Sequence, residues 1–286
     1  TPGQSNKLPF VIPLSMALLN AQGVALPLQL AGESTAIAGE RVLSITEAEQ
    51  TFSFINVVEQ PLPSLLRGFS APVIMDYNYS RDDLVFLLQH DTDGFNRWEA
   101  GQQLALQVIE DVVGQIYDTP EPMLDTRLVE VFSALLEQDD LDPAMLAEFM
   151  ALPSVGYIIE QYEQADPLAI HQAREYVCDQ LAHALKEPML ERYQALRKVS
   201  LATSYRAQDT DIARRRLQNM LLAYLLRTGD LEVLDACVDQ FSVSDNMTER
   251  LAALACLVNS PFTDAAQQAL EGFAERFASD PVVMDQ

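Results

Sequence analysis

The sequence is poor in basic residues. Its 286 residues include 18 lysines and arginines against 42 aspartates and glutamates, which gives a net charge of −24. A protein that binds nucleic acid needs a basic surface for the phosphates, so this composition argues against that class. It disfavours an anionic membrane surface for the same reason. The acidic excess favours solubility and attracts cationic ligands, and most of it lies after residue 98.

Cysteines and long apolar runs are also scarce. The three cysteines, Cys178, Cys237 and Cys256, form no Cys-x-x-Cys pair. The sequence therefore predicts no disulfide framework and a reducing, cytoplasmic location. The longest apolar run, residues 251–258, is far shorter than the ~20 residues that a membrane-spanning helix needs. No signal peptide is visible, and both ends, Thr1 and Gln286, look cut, so we expect a piece of a longer protein.

Short catalytic motifs are missing as well. The three histidines are His90, His171 and His183, and no two of them are four residues apart, which excludes a His-Glu-x-x-His zinc helix. Gly-x-Ser-x-Gly and glycine-rich phosphate loops are absent. Ser70 follows a predicted strand, but Pro72 blocks the helix that a nucleophile elbow requires.

The polar clusters that are present have structural explanations. His171, Glu175 and Cys178 share one face of a predicted helix, but one face supplies no further metal ligand, so we expect a helix surface. We interpret the paired carboxylates and the basic cluster as caps, loops and ion pairs: Asp82-Asp83, Asp139-Asp140 and Arg214-Arg215-Arg216. We predict no catalytic, cofactor-binding or metal-binding residue in the chain. Trp98, the only tryptophan, is expected to anchor the junction between the strands and the first long helix.

Residues 1–79 are typical of β structure. Prolines and glycines divide them into six candidate strands: residues 10–19, 24–30, 41–45, 51–58, 65–69 and 73–79. The turn from Asn20 to Gly23 joins the first two as a hairpin, and Phe52 and Phe54 share one face of the fourth. This spacing predicts a small β-sandwich of about six or seven strands.

The periodicity becomes helical at residue 80. Ser80 is a predicted N-cap with Asp82 and Asp83 in the first turn, and Asn246 and Glu249 have capping-box spacing. The last four helices are predicted to start near residues 212, 231, 247 and 264. Short helices joined by short loops favour an irregular stack of α-helical hairpins. The predicted architecture is therefore β then α: a β-sandwich over residues 1–79 and a helical domain, incomplete at its C-terminus, over residues 80–286.

Three longer segments carry a family resemblance. They are residues 45–52 (ITEAEQTF), 63–73 (PSLLRGFSAPV) and 90–100 (HDTDGFNRWEA), with weaker matches at 152–155, 166–170, 245–248 and 280–285. In this order they resemble bacterial aminopeptidase N, a family of zinc metalloaminopeptidases of the gluzincin class. The resemblance implies the third, β-sandwich domain and the first part of the C-terminal helical domain of a four-part enzyme. The family's zinc helix, distal glutamate ligand, Gly-x-Met-Glu-Asn loop and catalytic tyrosine have no counterpart in these residues.

The resemblance also implies a function for a parent protein. That parent would remove N-terminal residues from peptides with a zinc ion held outside this chain. The sandwich would act as a spacer, and the helical part would enclose the active-site cavity. The expected partners are the missing catalytic and N-terminal domains of the same chain and the parent's peptide substrates, with no nucleic acid and no membrane. The alternative is a free-standing protein-interaction or adaptor module without enzyme activity.

Overall fold

A computed structural model describes Gly3 and residues 8–284 of the chain. The chain divides into two units, Thr1–Ala105 and Leu106–Gln286, which are described one at a time. The ends predicted to be cut, Thr1 and Gln286, lie outside the described residues, as does Asp285 in the last weak family match. Every helix of the described part is too short or too polar to cross a lipid bilayer.

The first unit is built on a three-stranded antiparallel sheet. Its strands are β1 (Ile12–Leu19), β2 (Arg41–Ile45) and β3 (Leu62–Leu65), in the order β2-β1-β3. The central strand β1 pairs Leu14 with Leu43 on one side and Ala17 with Ser64 on the other. A 3-10 turn at Arg67–Phe69 and helix α1 (Arg81–His90) follow, and α2 (Gly94–Val113) begins in this unit.

The predicted turn after β1 is confirmed. The side-chain oxygen of Asn20 accepts hydrogen bonds from the backbone N–H groups of Gln22 and Val24. Gly23 has a φ of +77°, and a Cβ at this position would lie 2.6 Å from the Cβ of His90. Glycine is therefore required both by the backbone conformation and by the close approach of α1.

The predicted number of strands is wrong for the described residues. Residues 24–30 and 51–58 form only isolated bridges: Ala25 with Leu19, Leu28 with Ile37, and Leu30 with Phe54. Asn56 has a φ of +59°, which ends the pairing of the second segment after a single bridge. Of residues 65–69, Leu65 ends β3 and Arg67–Phe69 form a 3-10 turn, and residues 73–79 carry no strand.

The apolar core of this unit still follows the predicted alternation. Met16, Leu18, Leu28 and Leu43 are buried together. Phe52 and Phe54, predicted to share one face, both pack against this cluster although their segment is not a regular strand. Side-chain burial with period two is thus retained where the backbone ladder is lost.

The predicted helical character after residue 80 is confirmed. Ser80 and Asp83 form a reciprocal capping box at the start of α1. The later helices are α3 (Thr126–Leu136), α4 (Pro143–Phe149), α5 (Val155–Ile159), α6 (Pro167–Ala184), α7 (Lys186–Ala202), α8 (Asp209–Leu225), α9 (Leu231–Val243), α10 (Met247–Val258), α11 (Thr263–Phe277) and α12 (Pro281–Met284). The predicted starts at 231 and 247 match α9 and α10, and those at 212 and 264 are within three residues of α8 and α11.

The helices of the second unit pack as successive neighbours. Helix α7 packs on α8, α9 on α10 and α10 on α11, while α6 and α10 also contact α8. The hydroxyl of Tyr224 in α8 is buried and donates to the backbone oxygen of Met150 after α4, at 2.9 Å. Helix α8 therefore lies at the centre of this unit, in contact with neighbours on several sides.

Candidate functional site

The helix face with His171, Glu175 and Cys178 forms no metal centre. His171 is exposed, Glu175 is half-buried and Cys178 is buried. Burial alone would raise the pKa of Glu175, but the hydrogen bond and charge of Arg227 hold this pKa below its ordinary value. Burial raises the pKa of the Cys178 thiol. An ion-paired carboxylate and a protonated thiol do not fit zinc, and the described residues contain no group of three candidate ligands.

His171 and Glu175 border a polar cleft in the second unit. The cleft has a volume of about 710 Å³ and lies between α6, the 3-10 turn Leu226–Thr228 and the end of α10. Arg227 donates to Glu175, and its Nη1 lies 2.7 Å from the Oδ1 atom of Asp179. Cys256 also lines the cleft, and burial raises the pKa of its thiol to about 11. The charged groups of the cleft are thus used to join α6 to the end of α8.

The remaining predicted clusters have the structural roles expected of them. Asp83 caps α1, and Asp139 accepts from Arg192 at 2.7 Å. Ser70 accepts a hydrogen bond from the backbone N–H of Ser15, so its hydroxyl supports the sheet. In the basic cluster, Arg214 pairs with Asp211 and Arg216 with Glu148, while Arg215 lies over the ring of Tyr205. The predicted intramolecular ion pairing is therefore confirmed for Arg214 and Arg216.

The first unit contains a polar network around Arg67 and Asp91 that the sequence did not predict. Arg67 Nη1 donates to Asp91 Oδ1 at 2.6 Å and to Ser64 Oγ at 2.9 Å, and its Nε donates to Glu40 at 2.9 Å. Ser64 Oγ donates to the other oxygen of Asp91 at 2.6 Å. Asn96 in α2 donates to Ser64 Oγ and to the backbone oxygen of Leu65. The side chain of Asp91 is fully buried, so its charge depends on these partners.

This network holds a backbone segment of unusual conformation. Leu66 and Phe69 have φ values of +57° and +50°, a region that side chains other than glycine rarely adopt. Gly68, between them, also has a positive φ, and its N–H donates to Asp93. A strained backbone persists only where neighbouring groups hold it in place. Here the side chain of Arg67 donates four hydrogen bonds, to Glu40, Ser64, Asp91 and Thr92.

The anchoring role predicted for Trp98 stays a prediction, because the ring of Trp98 contacts Phe95 of its own helix. The ring centroid of Trp98 lies 5.8 Å from that of Phe95, and the Phe95 ring lies 5.2 Å from that of Phe69. Phe69 belongs to the 3-10 turn that follows β3, and Trp98 belongs to α2. A chain of three aromatic rings therefore connects the sheet to the first long helix.

A second ion pair in this unit predicts a measurable pH dependence. Arg41 donates two hydrogen bonds to Glu33, and with the N–H of Leu30 they lower the pKa of Glu33 from 4.5 to about 2. Because the folded pKa is depressed, this stabilisation is complete above pH 4.5 and is lost as the pH falls towards 2. We expect carboxyl carbon NMR to titrate Glu33 with a midpoint near 2 and Arg41→Met to return it towards 4.5. An unchanged midpoint in the variant would contradict the assignment.

The architecture defines the class: a small immunoglobulin-like β unit followed by helices of the armadillo-repeat type. Two family models match with these descriptions, one with an Ig-like fold over residues 1–78 and one with ARM repeats over residues 81–286. The chain belongs to the family described as domain of unknown function DUF3458_C, whose model covers most of its length. The β-sandwich-then-helices fold class predicted from the sequence is confirmed.

Named relatives identify the larger proteins in which this architecture occurs. The chain is 36% identical over 288 residues to aminopeptidase N of Escherichia coli (strain K12) and 30% identical over 285 residues to that of Haemophilus influenzae. Each match covers 100% of this chain and 32% of the relative, so the chain spans about a third of their length. The predicted homology to bacterial aminopeptidase N is thereby confirmed.

A solved structure gives the same answer in three dimensions. The crystal structure of Legionella pneumophila aminopeptidase A in complex with aspartic acid matches with a TM-score of 0.72 and 30% sequence identity. The match covers 96% of this chain and 31% of that chain. Both units of the present chain thus have counterparts within an aminopeptidase.

Proposed function

We propose that this chain is a non-catalytic part of a zinc-dependent aminopeptidase that removes N-terminal residues from peptides. The observation that carries the proposal is the full-length match to aminopeptidase N, in which all of this chain aligns with 32% of the relative. The chemistry of the present side chains agrees with it. Glu175 is held by Arg227, and the thiols of Cys178 and Cys256 have raised pKa values, so these groups are poor zinc ligands.

In this proposal the first unit is a spacer and the helices enclose the active-site cavity of the parent. The spacer role is supported by the rigid connection from β3 to α2 through Arg67, Asp91 and Asn96. A part that sets the distance between others must resist bending, and a buried, multiply bonded junction does so. The enclosing role is supported by the armadillo-type description of residues 81–286, because stacked helical repeats form curved surfaces.

The parent's other domains and its peptide substrates are the partners in this proposal. Large apolar side chains on the surface of the first unit support contacts of this kind. Ile74 and Val58 are 101% and 88% exposed, and Phe10 is 78% exposed. A neighbouring domain that covered these side chains would remove their apolar area from water, which favours association.

The test begins with the purified chain. We expect it to contain no stoichiometric zinc and to leave alanyl chromogenic substrates intact, with or without added zinc. Metal-dependent turnover that follows the chain through successive purification steps would contradict the proposal. Purified full-length aminopeptidase N of E. coli serves as the positive control.

A second test concerns the gene. We expect the reading frame upstream of Thr1 to encode His-Glu-x-x-His with a second glutamate about eighteen residues further on. Co-expression of that upstream part with the present chain should then give turnover that the chain alone lacks. A natural start codon near Thr1 would instead favour the free-standing adaptor module.

A further inference from the structure

A buried ionic cluster joins four helices of the second unit. Arg197 of α7 donates to Glu249 of α10 at 3.2 Å and to Asp239 of α9 at 3.1 Å. Arg214 of α8 lies on the other oxygen of Glu249, with 3.9 Å between its Nη1 and the Oε1 atom. Glu249 and both arginines are more than nine-tenths buried. The cluster takes no part in the proposed function.

Several donors of this cluster are unmatched. Within the described part of the chain, the Nε atom of Arg197 and the Nε and Nη1 atoms of Arg214 are buried without a hydrogen-bond partner. The 3.9 Å between Arg214 Nη1 and Glu249 Oε1 is too long for a direct hydrogen bond. It is shorter than the distance that two hydrogen bonds in a straight line would span, about 5.6 Å. Buried donors of this kind in folded proteins are normally matched by protein or by an ordered ligand.

The positive and negative charges of the cluster are equal in number, although several of its N–H donors lack a hydrogen-bond acceptor among the described residues. Arg197 and Arg214 face Glu249, with Asp239 on Arg197 and Asp211 on Arg214. Arg206 adds a third cation, since its Nε lies 2.9 Å from Asp211 Oδ2 without the alignment of a hydrogen bond. Three arginines therefore face three carboxylates. An added anion would leave an excess negative charge in a buried site, so the missing ligand must be neutral.

We propose that an ordered water molecule binds between Arg214 Nη1 and Glu249 Oε1. It accepts a hydrogen bond from the guanidinium and donates one to the carboxylate. Ser200 Oγ lies 3.2 Å from the same Glu249 oxygen and gives its proton to Gln218 at 2.7 Å, so its lone pairs can accept the second proton of the water. Three polar partners are the usual number for a buried water.

The water makes the cluster a continuous polar connection between α7, α8 and α10. Ser200 and Arg197 belong to α7, Arg214 and Gln218 to α8, and Glu249 to α10. Without the water, Arg214 has no hydrogen bond to α10 among the described residues. With it, Arg214 gains a polar link to α10, in addition to the hydrogen bond from Asn219 of α8 to the backbone oxygen of Thr248.

A high-resolution crystal structure of the chain, repeated on crystals grown in bromide, tests the site. We expect a water peak within about 3.0 Å of both Arg214 Nη1 and Glu249 Oε1, and no anomalous bromide peak there. Arg214→Met should remove the water peak, whereas Arg216→Ala, which removes an exposed arginine of the same helix that pairs with Glu148 outside the cluster, should retain it. An empty site, a direct Arg214–Glu249 hydrogen bond, or a bromide peak would each overturn the proposal.

Discussion

Replacing Arg67 with methionine should lower the free energy of unfolding of the first unit by about 3–5 kcal/mol. The substitution keeps the apolar stem but leaves the fully buried carboxylate of Asp91 without its cation. It also removes hydrogen bonds that fix the positive-φ residues Leu66 and Phe69. Trp98 is the only tryptophan and lies in this unit, so urea denaturation followed by tryptophan fluorescence reports the effect directly.

Arg41→Met is the matched control for this experiment. It removes an arginine from the same unit, but its partner Glu33 is a third exposed and is solvated after the change. We expect a clearly smaller loss of stability than for Arg67→Met. Equal losses for the two variants would show that the burial of Asp91 does not decide the effect. Asp91→Asn is a second comparison, because it removes the charge and leaves the side chain's shape.

The sequence predicted the helical unit far better than the β unit. Helix starts depend on local signals, such as the Asn246 side chain that accepts from the N–H of Glu249, and these signals operated as expected. The predicted return bond from Glu249 did not form, because its carboxylate turns to Ser244 and Arg197 instead. Strand pairing depends on partners distant in sequence, and the break at Asn56 has no clear local signal.

The polar networks could not be derived from spacing alone. Arg67 and Asp91 are 24 residues apart, and each is unremarkable in its own segment. The one available signal was that both lie in segments that resemble aminopeptidase N, residues 63–73 and 90–100. The resemblance marked the residues without showing that they meet. Arg197 and Glu249 are 52 residues apart, and both lie outside the segments that match the family. Glu249 directly follows the weaker match at residues 245–248.

The scarcity of basic residues has a structural counterpart. Arginines occupy the positions where buried or half-buried carboxylates need a cation: Arg67, Arg197, Arg214 and Arg227. Arg67, Arg197 and Arg227 pair with carboxylates that are distant in sequence, and Arg214 pairs with Asp211 on the preceding turn of the same helix. Other carboxylates are exposed to solvent, as at Asp139 and Asp239. They add negative charge to the surface without the free-energy cost of burying a charged group. Part of the small set of cations thus neutralises carboxylates in the interior, while exposed carboxylates add negative charge to the surface.

Replacing Glu249 with leucine should destabilise the second unit by about 3–5 kcal/mol. Glu249 is the shared partner of Arg197 and Arg214, and it also accepts from Ser244 at the end of α9. Leucine has a similar volume, so the effect comes from the two buried cations that lose their common carboxylate. Far-ultraviolet circular dichroism during urea denaturation follows this unit, which contains most of the helices.

The triple variant Arg197→Met, Arg214→Met, Glu249→Leu separates the charge effect from the packing effect. Because it removes both buried cations together with their carboxylate, we expect it to be more stable than Glu249→Leu alone, although it has two more substitutions. A triple variant at least as unstable as the single one would mean that shape, and not an unpaired charge, decides the loss. Glu249→Gln gives a third point: it keeps the shape but removes the charge and turns one acceptor oxygen into an NH2 donor that faces arginine or serine donors, so we expect a loss of stability from this variant as well.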